Sequence, residues 1–320
     1  MIEFRKKRDV MFVYRILKPV ISLLISVIML FTTPAPSKFG LPVKKDGNSV
    51  DMSKFDLTWS DEFDGGTIDP KKWGYEWWVT ERKGGYWHED MARVEDGNLI
   101  ISADYLSEPL ENRYYEKYKD SIDFAEYKPG YYSAIVTTRG KFEQCYGYFE
   151  CRCILPAGTG LWSAFWMMGE GVYNVDGSGD DGTEVDIFES MYYKDHWWGG
   201  DAVIGGIYYD GYGADKKGDT IGKIFIENDP YSEYNTYGLE WSKDAYIYYI
   251  NGIEVGRIST GGVSDNPEYL LLSVEIAGDN GIADADRHGT GKITHTPEKN
   301  WPVEFKIDYV RCYQYKDLLD

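Results

Sequence analysis

Of the 320 residues only four are cysteine, Cys145, Cys151, Cys153 and Cys312, and no CxxC or Cys/His ligand spacing occurs, which argues against a zinc site. Cys151 and Cys153 fall two apart on one face of an alternating strand. At this level, small buried hydrophobes and a disulfide with Cys312 are both open. Positive charge is also scarce: 34 Lys and Arg against 53 Asp and Glu leave a net charge of −19. Phosphate binding needs clustered cations, so the balance speaks against nucleic acid and anionic membrane surfaces as partners, and disfavours a sulfated polysaccharide. Helical periodicity is missing beyond the first few tens of residues. No repeat or low-complexity linker divides the remainder of the chain, which predicts one domain there.

Aromatic residues are plentiful, with 28 Tyr and 11 Trp. Part of that is ordinary strand composition, and the rest suits binding of flat ligands with apolar faces and polar rims. Residues 1–45 differ in kind. A basic start (Arg5, Lys6, Lys7, Arg8) and a second methionine, Met11, precede the apolar run "PVISLLISVIMLF", Pro19 to Phe31. That run is short for a membrane span and suits the core of a signal peptide, with small residues for cleavage near Ala35. The expected layout is a signal peptide and linker over 1–45 and a folded domain over 46–320, its core about 55–316.

Short alternating runs recur between Gly, Asp, Asn and Pro: "NLIISADY" (98–105), "SAIVTTRG" (133–140), "YGYFECRCIL" (146–155), "YNTYGLEWS" (234–242), "YLLLSVEIAG" (269–278) and "VEFKIDYVRCYQY" (303–315). In "YIYYINGIEVGRI", Asn251-Gly252 reads as the type I′ turn of a hairpin. Many strands without helical interludes predict an all-β sandwich of two antiparallel sheets.

The stretch "EVDIFES" (184–190) carries three carboxylates in six residues. Strict alternation puts Glu184 and Asp186 on one face and Glu189 on the other, with Val185 and Ile187 in the core. A β-bulge at Ile187-Phe188 restores Glu189 to the face of the other two. Glu184 and Glu189 would then stand roughly two strand steps apart. Paired carboxyls of this kind hydrolyse glycosides, one as nucleophile and one as acid/base. Crowding three like charges also forces at least one pKa upward, as a general acid at neutral pH requires. Asp180 and Asp181 nearby make calcium a rival reading, although the spacing does not match an EF-hand loop.

"GTEVDIFES" resembles the signature strand of glycoside hydrolase family 16, in its bulged, laminarinase-like ExDxxE form. "LTWSDEFDGGTIDPKKW" (57–73), "VEDGNLIISA" (94–103), "YGYFECRCILPAGTGLWSAFWMM" (146–168), "YNTYGLEWSKDAYIYYINGIEV" (234–255) and "FKIDYVRCYQY" (305–315) resemble family segments in the family's order. The resemblance implies a β-jelly-roll sandwich with a concave cleft for a β-linked polysaccharide. It makes Glu184 the nucleophile, Glu189 the acid/base and Asp186 the holder of a shared proton. No cofactor enters the implied chemistry. Asp308, with backbone near Gly97, matches a family position for a structural calcium ion; a hydrogen-bonded strand-end aspartate is the alternative.

Expected substrate contacts are Trp162 and Trp166, which share a strand face in "GLWSAFW", Arg139 in "TTRGKF", and Trp197 or Trp198 in "HWWGG". Tyr208 stands where the family commonly has histidine, and Glu275 where a neutral residue is usual; both are expected to face the cleft. The implied protein is a secreted, monomeric, endo-acting retaining hydrolase of a neutral β-linked polysaccharide, foremost a glucan containing β-1,3 linkages. An endo-β-galactosidase, a non-catalytic glycan binder of the same fold, and a transglycosylase are the alternatives.

Overall fold

The computed structural model describes residues 41–42, 47–121, 124–158, 160–191, 202–278 and 301–319. The expected signal peptide lies outside them. Two sheets face each other. The first runs, edge to edge, Leu41–Pro42, Lys217–Phe225, Ala202–Tyr209, Glu184–Met191, Leu161–Met168, Glu268–Ile276 and Ile135–Thr137, with Glu143–Gln144 also on Glu268–Ile276. The second is built around the 13-residue strand Val303–Tyr315, which pairs with Gly147–Ile154, Asn98–Leu106 and Phe55–Asp61. Between the strands of the described residues, pairing is antiparallel except for Leu41–Pro42 on Lys217–Phe225 and Gly85–Trp87 on Gly130–Ser133; an isolated bridge, Lys83 to Ile276, is also parallel. The predicted all-β, two-sheet sandwich is therefore present.

Alternation explains the layering. Phe149, Cys151 and Cys153 point inward from Gly147–Ile154 and meet Phe165, Met167, Val185 and Leu272 of the first sheet. Full burial of one such large apolar side chain contributes about 1.5–3 kcal/mol. Tyr148 points outward and packs with Phe55 and Tyr249 in a separate cluster. All four cysteines are free, and three are fully buried, so they act as small hydrophobes.

Asn251 and Gly252 take φ of +50° and +74°, as the predicted I′ turn requires. The tyrosine-rich segment after Leu106 carries one helical turn, Tyr115–Tyr118. It is too short to leave a periodic signal in the sequence.

Candidate active site

The carboxylate strand Glu184–Met191 sits mid-sheet, between Leu161–Met168 and Ala202–Tyr209. Against the first neighbour, Asp186 pairs with Trp166 and Phe188 with Phe165, so Ile187 is an extra residue. Against the second, the three steps from Asp186 to Glu189 span the two steps from Gly206 to Ile204. The bulge expected at Ile187-Phe188 is there. Its consequence is visible in the packing: Val185, Ile187 and Phe188 all join the core. Glu189 is released to the other face, with Glu184 and Asp186.

One expectation needs correction. Glu184 pairs with Met168 and Glu189 with Ala164, a span of four residues on the neighbouring strand rather than two. Four steps are about 13 Å of backbone. The Glu184 charge still acts on Glu189, so the two carboxyls interact across Asp186 from opposite ends of that span.

The start of the strand is fixed from below. Glu268, fully buried, accepts hydrogen bonds from Thr183 N at 2.9 Å and Thr183 Oγ1 at 2.8 Å. Burial pushes its pKa up to about 7. The neighbouring Gly182 has φ +148°, and a Cβ there would meet the Gly171 Cα at 2.8 Å, so only glycine fits.

Burial dominates the site's electrostatics. It raises the Glu184 pKa, opposed by a hydrogen bond from the Tyr212 hydroxyl to Oε2 and by the Lys216 and Arg82 charges. Asp186 is 4% exposed, and Oδ2 has no hydrogen-bond partner. Burial first, then Glu189 and Glu184, drive its pKa far up. Glu189 is pushed up to about 7 by burial and by the Glu184 charge, while Lys83 and a hydrogen bond from Trp162 pull it down. Burial thus raises both glutamates: Glu189 is held protonated up to about pH 7, while the Tyr212 hydroxyl, Lys216 and Arg82 limit the rise at Glu184.

With this geometry in view, the model of the "Beta-porphyranase A-D, GH16 domain" matches residues 55–315. The chain belongs to glycoside hydrolase family 16. It is a glycoside hydrolase. Among relatives of this family 16 enzyme, a beta-glucanase of Rhodothermus marinus is 27% identical over 279 residues, covering 82% of this chain and 86% of its own. A glucan endo-1,3-beta-glucosidase of Cryptopygus antarcticus is 30% identical, covering 81% and 92%. The catalytic domain of an endo-1,3-beta-glucanase (laminarinase) from Thermotoga petrophila RKU-1 superposes with a TM-score of 0.61 at 28% identity, covering 82% and 98%. Three longer curated relatives are spanned over only 53%, 38% and 53% of their length.

The expected contact residues separate into groups. Trp166 pairs with Asp186, and its Nε1 donates to Ser273 Oγ at 3.1 Å. Tyr208 pairs with Glu184; burial and the three carboxylates raise its pKa to about 12, so it stays a donor. Lys216 Nζ sits 3.7 Å from its ring centre. Trp162 is in the site, yet one ring face is covered by Lys83 Nζ, 3.4 Å from the ring centre. Glu275 pairs with Trp162 on the neighbouring strand, but it is not the free polar contact expected of it. Arg82 Nε bonds one oxygen at 2.6 Å and Lys83 Nζ the other. Arg139 is likewise engaged: Nη1 bonds Glu76 at 3.4 Å, Nη2 bonds Glu170, and the guanidinium lies over Trp78 and Tyr269. Trp197 and Trp198 lie outside the described residues. Tyr212, Lys216, Lys83 and Arg82 were not anticipated; they reach the site from loops and from a strand of only two residues, Glu81–Arg82, which leave no alternating pattern.

Ile307 pairs with Leu99 at the end of the ladder between Asn98–Leu106 and Val303–Tyr315, so Asp308 stands at the ladder's end, close to the turn that holds Gly97. Gly97 has φ +71° in a tight turn with Asp96. The Asp308 carboxylate, however, accepts from Arg152 Nη1 at 2.5 Å, and Arg152 also covers Tyr234. A guanidinium already supplies the positive charge that calcium would bring. The residues as arranged do not fit that ion, and the charged partner here is Arg152 rather than backbone. Near the carboxylate strand, Asp181 accepts from Asn174 Nδ2 at 2.5 Å. Among the described residues no group of three His, Cys, Asp or Glu is set to hold a metal.

Proposed function

We propose that the protein is a secreted, monomeric, endo-acting hydrolase that cleaves a neutral β-linked glucan containing β-1,3 linkages with retention of configuration. Glu184 attacks the anomeric carbon while Glu189 gives its proton to the departing glycosidic oxygen. Water, deprotonated by Glu189, then displaces the sugar from Glu184. Asp186, between them and protonated by its surroundings, donates to whichever neighbour carries charge. Every proton and bond in the cycle is handled by carboxyl groups and water.

One observation carries this reading: the bulge at Ile187 turns Glu189 away from the core and toward Glu184. A nucleophile and its acid/base need carboxyls ~5–5.5 Å apart, a separation that two long glutamate side chains leaning toward each other across about 13 Å of backbone can reach. The glucan preference draws on the beta-glucanase, the glucan endo-1,3-beta-glucosidase and the laminarinase named above, against a family model named for porphyranases, and on the net charge of −19, which disfavours a polyanionic substrate. Export rests on the basic start and the apolar run Pro19 to Phe31.

The test is digestion of laminarin, lichenan, agarose, porphyran and mucin glycans by the purified domain, with products sized over time. Short laminarin oligosaccharides early in the reaction support the reading. Turnover of agarose, porphyran or mucin glycans with laminarin untouched refutes the glucan assignment.

A further inference from the structure

Glu275 is a buried carboxylate that the reaction scheme leaves idle, 7% exposed and flanked by two cations. Those cations come from a hairpin far away in sequence, Glu81–Arg82 turning into Gly85–Trp87. The hairpin is pressed along the strand that carries Glu275. Gly84 N donates to Ile276 O at 3.0 Å, and Trp87 Nε1 donates to Val274 O at 2.8 Å. A Cβ at Gly84 would stand 2.2 Å from Ala277 O, so the approach requires glycine. Between them Lys83 takes φ +54°, a left-handed conformation uncommon outside glycine and frequent at functional sites. This backbone places Nζ on Glu275 and on the face of Trp162 together. Trp162 lies two residues from Ala164, the strand partner of Glu189, and from there its indole acts on the Glu189 carboxylate as a hydrogen-bond donor that lowers its pKa. Glu275, Lys83, Trp162 and Glu189 thus form one chain of contacts ending at the acid/base.

We propose that Lys83, pinned by Glu275 and Arg82, is a positioning residue that backs the Trp162 ring so that the indole holds Glu189 in its proton-donating orientation. Trp162 is then an aiming residue for the acid/base rather than a platform for a sugar ring. A lone cation on that platform would repel no sugar but would occupy its stacking face. The buried Glu275 is what keeps the lysine there, since an unpaired ammonium would leave for water. The inference rests on Glu189 being the acid/base.

The charged and titratable groups facing Glu189 are Glu184 and Asp186 on its own strand, Tyr208 on one neighbour, Glu275 beyond Trp162 on the other side, and Lys83 from the hairpin. Lys83 and Glu275 act on it with opposite sign.

The experiment is the pH dependence of kcat/KM on laminarin for wild type, Lys83→Met, Glu275→Gln, Trp162→Phe and the Lys83→Met/Trp162→Phe pair. Lys83→Met is expected to move the basic limb to higher pH by about half a unit or more, and Glu275→Gln, which releases the lysine together with the carboxylate charge, to move it the same way by less. Both should cut kcat several-fold, and Lys83→Met should add little once Trp162 is phenylalanine. A purely structural clamp would lower activity and folded yield in both without limb shifts. A limb that stays put or moves to lower pH in Lys83→Met overturns the proposal, as does full additivity in the pair. Should Glu275→Gln not fold, the Lys83→Met and Trp162→Phe comparison decides alone, by limb shift and additivity. If the wild type shows no fall near pH 7, or Glu189→Gln keeps normal turnover, the acid/base assignment fails and this proposal falls with it.

Discussion

Replacing Glu189 by glutamine should make the protein more stable at alkaline pH while destroying its activity. Burial and the Glu184 charge hold the carboxyl protonated up to about pH 7, against 4.5 for an unperturbed glutamate. A carboxyl with a raised folded-state pKa binds more protons folded than unfolded, so stability falls as pH climbs through that interval. The gap between 4.5 and about 7, at 1.36 kcal/mol for each pH unit, amounts to about 3 kcal/mol lost by pH 8. Partial solvent contact and the shared proton with Asp186 trim this to about 1–3 kcal/mol. For a domain of this size that is about 2–6 °C in Tm. Glutamine keeps the shape without the charge. Thermal unfolding of both proteins from pH 4 to 9 should therefore give matching Tm values at pH 4 and a more stable variant above pH 7. Parallel Tm curves across the whole range would refute the electrostatic account of the site, whatever the activity loss.

Further expectations follow from the same geometry. Glu184→Gln should fold normally and lose at least ~10³-fold in kcat, since among the described residues no other side chain is set to attack the sugar; near-normal turnover would remove Glu184 as nucleophile. Tyr212→Phe removes the hydroxyl that stabilises ionised Glu184. Its acidic limb of kcat/KM should move to higher pH with the basic limb unchanged, and an unmoved acidic limb would contradict the contact. Arg152→Leu should strand Asp308 without its partner and lower Tm. Added calcium restoring Tm in that variant, but leaving wild type unchanged, would show the guanidinium standing in for a cation; no Tm loss at all would mean the pair contributes nothing.

The fold was legible because its strands alternate plainly and its turns carry their own chemistry. Asn251-Gly252 marks a hairpin, and Phe149, Cys151 and Cys153 mark an inward face. The catalytic strand was legible through a conflict: alternation alone would bury Glu189, and a carboxylate does not belong in that core. The distance between the glutamates was misjudged, because the bulge takes up only one of the five residue steps from Glu184 to Glu189 and leaves four. What the sequence could not reveal arrives from elsewhere in the chain. The Arg82–Lys83 hairpin lies about 190 residues from its partner Glu275, and Tyr212 follows a loop with no periodic signal. Trp162 was recognised as a site residue, but its neighbour Lys83 changes what its ring is free to touch.

The most direct test of the account is azide rescue of Glu189→Ala on an activated aryl β-glucan oligosaccharide. If Glu184 is the nucleophile and Glu189 the acid/base, azide should restore turnover and the product should be the β-glycosyl azide, formed on a covalent Glu184 intermediate. An α-glycosyl azide, or β-azide arising from Glu184→Ala instead, would reverse or remove the roles assigned to the two carboxyls that the Ile187 bulge brings together.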